Sequence, residues 1–182
     1  METTELDIPE VRYLARKKFS DARGFFCETF TQRDHPGIVF VQDNLSLSKE
    51  RGTVRGLHYQ DPPVAQTKLV TVLQGAIFDA AVDLRRGSPT FGRWVARELS
   101  AERLDQLLIP RGFAHGFCTL APDTMVLYKV DAYYSPEHDR GVRWDDPAIG
   151  IAWPVARDEA RLSDKDRRQP ALAAIESPFR YL

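Results

Sequence analysis

The sequence predicts an all-β protein, a jelly-roll β-sandwich or barrel with a few short helices, mainly C-terminal. Between Gly24 and Tyr134, short runs rich in β-branched and aromatic residues alternate with clusters of Gly, Pro, Asp and Ser. Many short strands at this spacing are typical of sandwiches and jelly rolls. Helix-like composition is confined largely to the region after Pro136.

The strand pattern is clearest in the segment 76–85, where apolar side chains alternate along the chain. In that segment Asp79 and Asp83 fall on the second face, which predicts a polar outer surface. The segments 85–90 and 99–104 predict a turn and a single helical turn, and one or two short helices are expected in 158–168 and 170–176. The predicted strands are 25–31, 38–44, 53–59, 67–74, 76–85, 92–100, 106–110, 112–120 and 124–134.

Composition indicates one domain over residues 1–182 and excludes several functional classes. The chain of 182 residues can bury a sizeable core, and its formal net charge of −1 gives no reason to expect nucleic-acid or membrane binding. Its two cysteines, Cys27 and Cys118, offer no disulfide framework. No signal peptide opens the sequence, and no apolar run reaches the roughly 20 residues of a membrane span. We therefore expect a cytoplasmic protein.

Polar side chains that should face the interior of the barrel mark the candidate site. His58 and Gln60 alternate together on one strand, and Gln66 and Lys68 alternate on the next. The stretch "PRGFAH" (110–115) resembles the last metal-binding motif of the cupins, which are jelly-roll barrels. Gln60, however, stands where those proteins place a second histidine. Two histidines and a neutral amide form a poor divalent site, so no metal is predicted.

Proton chemistry fits these residues better than metal chemistry. His58 can accept a proton near neutral pH, and Asp166 is a candidate carboxylate to orient it. Lys68, on an apolar strand face, is costly to bury unless an anion such as an enolate needs it. Tyr128 shares an apolar strand face and can place an acidic hydroxyl inside. A base and an acid on two sides of a substrate could invert a carbon next to a ketone.

Matched stretches along nearly the whole chain, from Gly24 to about Asp166, make the resemblance specific. The sequence resembles the dTDP-4-dehydrorhamnose 3,5-epimerase family in "QDN" (42–44), "GTVRGLHYQ" (52–60), "AQTKLV" (65–70), "FDAAVDLRRGSPTFGRW" (78–94), "LSAE" (99–102), "LIPRGFAHGF" (108–117) and "YKVDAYYSPEHDRGVRWDDPAIGIAWP" (128–154). The resemblance implies a homodimer that needs no metal or organic cofactor. It also implies proton removal and return at C3 and C5 of a dTDP-4-keto-6-deoxyhexose, a step toward dTDP-L-rhamnose.

The resemblance also implies roles for individual residues. His58 would be the base with Asp166 as its partner, Tyr128 the proton donor, and Lys68 the cation beside the enolate. Tyr134 would stack on the thymine. The segment 153–166 matches loosely, so Asp164 competes with Asp166 for the role of partner. The further substrate-binding positions are Arg23, Glu28, Gln42, Asn44, Arg55, Gln60, His115, Asp139 and Lys165.

Arg55 raises a geometric question, because strict alternation places it on the face opposite to His58. A β-bulge at Gly56 would re-aim one of the two side chains. Without it, Arg55 would be a surface residue.

Three alternative functions share these features. A single-site epimerase of a natural-product pathway would differ only in its product. A metal-dependent cupin dioxygenase would carry stoichiometric metal. A non-catalytic sugar-nucleotide binding module would bind dTDP and exchange no protons.

Overall fold

The structure, a computed structural model, describes residues 2–181. It consists of two large antiparallel sheets and a separate hairpin. Across the six-stranded sheet the order is β1 (Glu2–Glu5), β2 (Arg12–Ala15), β10 (Gln106–Ile109), β7 (Lys68–Gln74), β12 (Thr124–Val130) and β5 (Gln42–Ser48). Across the five-stranded sheet it is β13 (Asp139–Gly141), β6 (Val54–Gln60), β11 (Phe113–Thr119), β8 (Ala76–Asp83) and β9 (Trp94–Ser100). The hairpin pairs β3 (Lys18–Asp21) with β4 (Gly24–Cys27).

Helical structure is short. One α-helical turn, α1 (Asp164–Arg167), lies beside β6, and 3₁₀ turns occupy Gln32–Asp34, Pro136–His138 and Leu172–Ala174. The all-β fold class with short helices is therefore confirmed, while the region predicted as helix over 158–168 contains only the single turn α1.

The main core lies between the two sheets. Val70 and Leu107 from the six-stranded sheet pack in one cluster with Ile77, Leu99 and Phe117 from the five-stranded sheet. The opposite face of the five-stranded sheet is also covered. There the side chains of Leu57, Val82 and Ala114 meet Val142 and Phe179 of the C-terminal region in a second cluster. The five-stranded sheet is thus buried on both faces.

Double burial overturns the predicted polar outer face of β8. Asp79 and Asp83 are both fully buried. Asp83 accepts hydrogen bonds from Arg85, Ser88 and Thr90, so the turn after β8 neutralises it. Alternating polarity indicates solvent exposure only when one face of a sheet is free, and here neither face is.

Strand boundaries near the N-terminus also differ from the prediction. The structure adds β1, β2 and β3, which the sequence did not predict, and the segment expected as a strand over 38–44 pairs instead as β5. β5 is an edge strand whose apolar residues Leu45 and Leu47 are exposed and whose polar residues point inward. This burial pattern is the reverse of the one used to place the strand. An apolar-in pattern therefore misplaces this strand.

A β-bulge in β6 answers the question about Arg55. Against β11, His58 pairs with His115 and Arg55 pairs with Phe117, so β6 holds one more residue than its partner. Gly56 occupies the extra space with φ at +130°. A Cβ at this position would lie 2.6 Å from the Gly116 Cα. The bulge brings Arg55 and His58 to the same cavity.

We predict that Gly56→Ala destabilises the fold by about 3 kcal/mol or more, because strain at positive φ adds to a backbone clash. Gly87→Ala is the matched control, since Gly87 also has a positive φ (+86°) but an added Cβ there would meet no other atom within 4 Å. We expect the control to cost about 1 kcal/mol. Urea unfolding of both variants measures the difference, and equal costs would show that β6 has no tight bulge.

Candidate active site

Two adjoining cavities open between the sheets. One has a volume of about 400 Å³ and the other about 220 Å³. Both are lined by His58 of β6, Lys68 of β7, Tyr128 of β12 and Lys165 of α1. The predicted acid–base residues therefore meet at one place.

His58 and Asp166 form a close, largely buried pair in the site. Asp166 Oδ1 lies 2.5 Å from His58 Nε2, and the side chain of Asp166 is only 5% exposed. The Ser163 hydroxyl caps α1 by accepting a hydrogen bond from the Asp166 N–H at 3.1 Å, which fixes where the carboxylate stands. Asp164 is exposed on the same turn, so the structure places Asp166 against His58.

Electrostatics keep this carboxylate ionised. Burial acts to raise the pKa of Asp166, but the hydrogen bond and the charge of His58 outweigh it, and the net pKa is lowered. A carboxylate can only accept, so the imidazole Nε2–H is the donor in this contact. The neutral ring therefore keeps its Nδ1 lone pair free for a proton.

Lys68 is a buried cation beside this pair. It is 8% exposed, and its Nζ donates to the carbonyl oxygen of His58 at 3.3 Å. Burial lowers the pKa of Lys68 to about 8, although the charges of Asp139 and Asp79 act in the opposite direction. At neutral pH the side chain is an ammonium group with few protein partners.

A second histidine–aspartate pair lies beside the larger cavity, which His115 lines. His115 Nε2 is 2.6 Å from Asp79 Oδ1, and the two side chains are 7% and 0% exposed. Burial lowers the pKa of His115, and Asp79 raises it only in part. Asp79 is the site residue that the sequence analysis missed. Only the pairing of β8 with β11, which places Asp79 diagonally across from His115, reveals it.

Tyr128 occupies the wall opposite His58, because β12 belongs to the six-stranded sheet and β6 to the five-stranded one. Its strand neighbours Val126 and Val130 are fully buried on the same face. Burial raises the pKa of Tyr128, so the phenol stays protonated at neutral pH. A proton acceptor and a proton donor thus face each other across the cavity.

The smaller cavity is lined by polar and aromatic groups. Tyr134 is 55% exposed, and its hydroxyl donates to Asp139 Oδ2 at 2.9 Å. Lys165 pairs with the same carboxylate. Asn44 and Gln66 also line this cavity, together with the exposed side chain of Tyr134.

Two of the predicted amides support the loop that carries Tyr134. Gln60 donates to the Val64 and Tyr133 carbonyl oxygens at 2.7 and 3.2 Å. Gln42 accepts a hydrogen bond from the Tyr134 N–H at 3.0 Å. Gln60 lines the smaller cavity, whereas Gln42 is not among the residues that line it.

Two predicted binding residues lie away from both cavities. Arg23 is at the exposed turn of the β3–β4 hairpin, where it pairs with Asp21 at 2.6 Å, and Glu28 follows the hairpin in an exposed segment. Neither lines the cavities of its own chain.

Two general properties of residues 2–181 bear on function. Within this range, no three His, Cys, Asp or Glu side chains are grouped so that they could hold a metal ion. None of the helices described there is long and apolar enough to cross a membrane.

Comparison with known proteins gives one consistent result. The family profile described as dTDP-4-dehydrorhamnose 3,5-epimerase matches residues 5–174. A dTDP-4-dehydrorhamnose 3,5-epimerase of Sinorhizobium fredii is 52% identical over 181 residues, covering 97% of this chain and 92% of the relative. One of Pseudomonas aeruginosa is 50% identical over 179 residues, covering 95% and 97% of the two chains.

A solved structure agrees at the level of the backbone. The dTDP-6-deoxy-D-glucose-3,5-epimerase of Legionella pneumophila, in complex with dTDP-4-keto-L-rhamnose, superimposes with a TM-score of 0.94 and 41% sequence identity. The match covers 100% of this chain and 98% of that one. With the profile match and the relatives, it shows that the chain belongs to the dTDP-4-dehydrorhamnose 3,5-epimerase family.

Proposed function

We propose that the protein is an isomerase that converts dTDP-4-dehydro-6-deoxy-D-glucose to dTDP-4-dehydro-L-rhamnose, without a cofactor, during dTDP-L-rhamnose biosynthesis. The observation that carries the proposal is the placement of the His58–Asp166 pair and Tyr128 on opposite walls with Lys68 beside them. Family membership supports the same reaction. We further propose that residues 1–182 act as one domain.

His58 acts as the base through Nδ1. The 4-keto group acidifies the protons on C3 and C5, and the free nitrogen removes one of them. Asp166 stabilises the imidazolium that forms, as the aspartate of a catalytic triad does. Proton transfer by a positioned group of this kind is worth about 10²–10⁴ in rate.

Lys68 and Tyr128 complete the inversion at C5. The Lys68 ammonium stabilises the enolate oxygen that develops at C4, in a site where burial strengthens the interaction. Tyr128 then returns a proton to the opposite face at C5, which inverts that carbon. Asp79 supports this arrangement through His115 and through its charge near Lys68.

The smaller cavity binds the nucleotide end of the substrate in this proposal. The exposed ring of Tyr134 can stack on thymine, and Asn44 offers an amide to the base. Lys165 is positioned by Asp139 near the join of the two cavities, where it can contact the diphosphate.

The working form is proposed to be a homodimer. The hairpin that carries Arg23 exposes Phe19, Phe25 and Phe26, an unusual amount of aromatic surface for a free two-stranded element. Because Arg23 does not reach the site of its own chain, the hairpin can complete the site of a second copy.

We place this activity in the cytoplasm. Cys27 and Cys118 are both free thiols, and Cys118 is buried. Free thiols of this kind are usual in a reducing compartment.

The direct test of the reaction is incubation with dTDP-4-dehydro-6-deoxy-D-glucose in deuterated water, followed by NMR of the sugar. We expect deuterium at both C3 and C5, because each proton is exchanged through an enolate. His58→Ala should incorporate almost none while still binding dTDP. Label at one carbon would instead identify a single-site epimerase, and no label with tight dTDP binding would leave only a binding module.

We predict that kcat/KM falls as the pH rises through about 8, because Lys68 then loses the proton that stabilises the enolate. Removing the favourable charge of Asp79 in Asp79→Asn should move this decline to lower pH, since Asp79 raises the pKa of Lys68. Steady-state pH profiles of both proteins test the assignment. If kcat/KM declined at the same pH as in the wild-type protein in both Asp79→Asn and Lys68→Arg, the assignment of this decline to Lys68 would be wrong.

A mixing experiment tests the shared site. His58→Ala and Arg23→Ala are each expected to have little activity, but one of the two sites in their heterodimer would be intact. After random subunit exchange, about one quarter of wild-type activity should return. Mixing His58→Ala with Asp166→Asn is the control, because both changes lie in the same site. No recovery in the first mixture, with exchange verified by mass spectrometry, would place Arg23 in its own chain's site or outside any site.

A further inference from the structure

In β5 the apolar side chains face outward and the polar side chains face the interior, the reverse of the usual arrangement. Leu45 and Leu47 point outward and are 60% and 47% exposed, while the alternate residues point toward the interior. This inner row is entirely polar and consists of Gln42, Asn44, Ser46 and Ser48. The first two were predicted from the family resemblance, but nothing assigns a role to the two serines.

Ser48 holds Arg55 in place. Arg55 Nε donates to the Ser48 hydroxyl at 3.1 Å, and its Nη2 donates to the Leu47 carbonyl oxygen at 3.1 Å. Ser48 is 3% exposed, so this anchor is buried. Among the residues that the structure describes, no carboxylate pairs with Arg55. The guanidinium is thus held along one edge, and its remaining N–H groups are available to an anion.

Ser46 carries an unused hydrogen-bonding group in the same cavity. Its Oγ is buried and has no partner among the described residues, although buried hydroxyls are nearly always hydrogen-bonded. Ser46, Arg55 and Tyr128 all line the larger cavity. A buried hydroxyl in the same cavity as a guanidinium with free N–H groups matches the needs of charged phosphate oxygens, which can accept hydrogen bonds from both.

We propose that Ser46, Ser48 and Arg55 form a cradle for the diphosphate of the substrate. Arg55 and Ser46 donate to phosphate oxygens, and Ser48 acts as a positioning residue that orients Arg55. This inference rests on the proposed function and deepens it, because it gives the β5 serines separate roles in binding the nucleotide sugar.

Binding of dTDP and of thymidine, measured by calorimetry and by ligand-observed NMR, tests the role of Ser46. Ser46→Ala should weaken dTDP binding about tenfold, the usual scale for losing a hydrogen bond to a charged group. Thymidine binding should not change, because thymidine lacks the diphosphate. Ser46→Thr keeps the hydroxyl and should restore dTDP affinity. Ser100→Ala, in β9 and outside both cavities, is the matched control.

A double-mutant cycle separates the two serines. Ser48→Ala should weaken dTDP binding several-fold in the wild-type background and have no further effect in Arg55→Ala, because it acts through Arg55. Ser46→Ala should cost the same in both backgrounds. In turnover, Ser46→Ala should raise KM and leave kcat nearly unchanged, as loss of a contact made equally in ground and transition states does.

Three results would overturn the inference. Wild-type dTDP affinity in Ser46→Ala would mean that the hydroxyl is satisfied by water. Equal losses of dTDP and thymidine affinity would move the contact away from the phosphates. If the wild-type protein bound neither dTDP nor the sugar nucleotide, the proposed function would fall first and this inference with it.

Discussion

The extra residue that β6 accommodates at Gly56 is the constraint on which the rest of the site depends. With strict alternation, Arg55 and His58 would lie on opposite faces of the five-stranded sheet. The bulge places both in the larger cavity, and the close approach of β11 leaves room only for glycine. A backbone irregularity next to a catalytic residue is a recurring use of bulges. Here it brings together the proposed base, His58, and the guanidinium of Arg55 that is proposed to bind the diphosphate.

Burial then sets the chemistry of the groups that the bulge brings together. Lys68 loses basicity because it is enclosed, yet Asp79 and Asp139 keep its pKa high enough for it to remain charged at neutral pH. Asp166 is enclosed too, but its contact with His58 preserves its charge. Lys68 and Asp166 thus stand as a fixed cation and a fixed anion beside His58 and Tyr128, the two groups proposed to exchange protons with the substrate. Such preorganisation lowers the cost of forming an enolate.

Much of this arrangement was predictable from single strands. The alternation around His58, Lys68 and Tyr128 placed each of them inside, and the fold class followed from the spacing of turns. Asp79 was not predictable, because its role depends on pairing with β11 and on a sheet that is buried on both faces. The boundaries of β5 were misjudged for a related reason. A strand whose polar row faces a cavity and whose apolar row faces outward inverts the usual pattern.

The tautomer of His58 is the most direct test of the central claim that Asp166 prepares Nδ1 as the base. Only four histidines are present, so ¹⁵N-histidine NMR is practical, and His58→Gln assigns the signals. We predict that neutral His58 carries its proton on Nε2 and has an unprotonated Nδ1, and that Asp166→Asn disturbs this preference. Finding the proton on Nδ1 in the wild-type protein would contradict this prediction, because the nitrogen that does not contact Asp166 could not then accept a proton from the sugar.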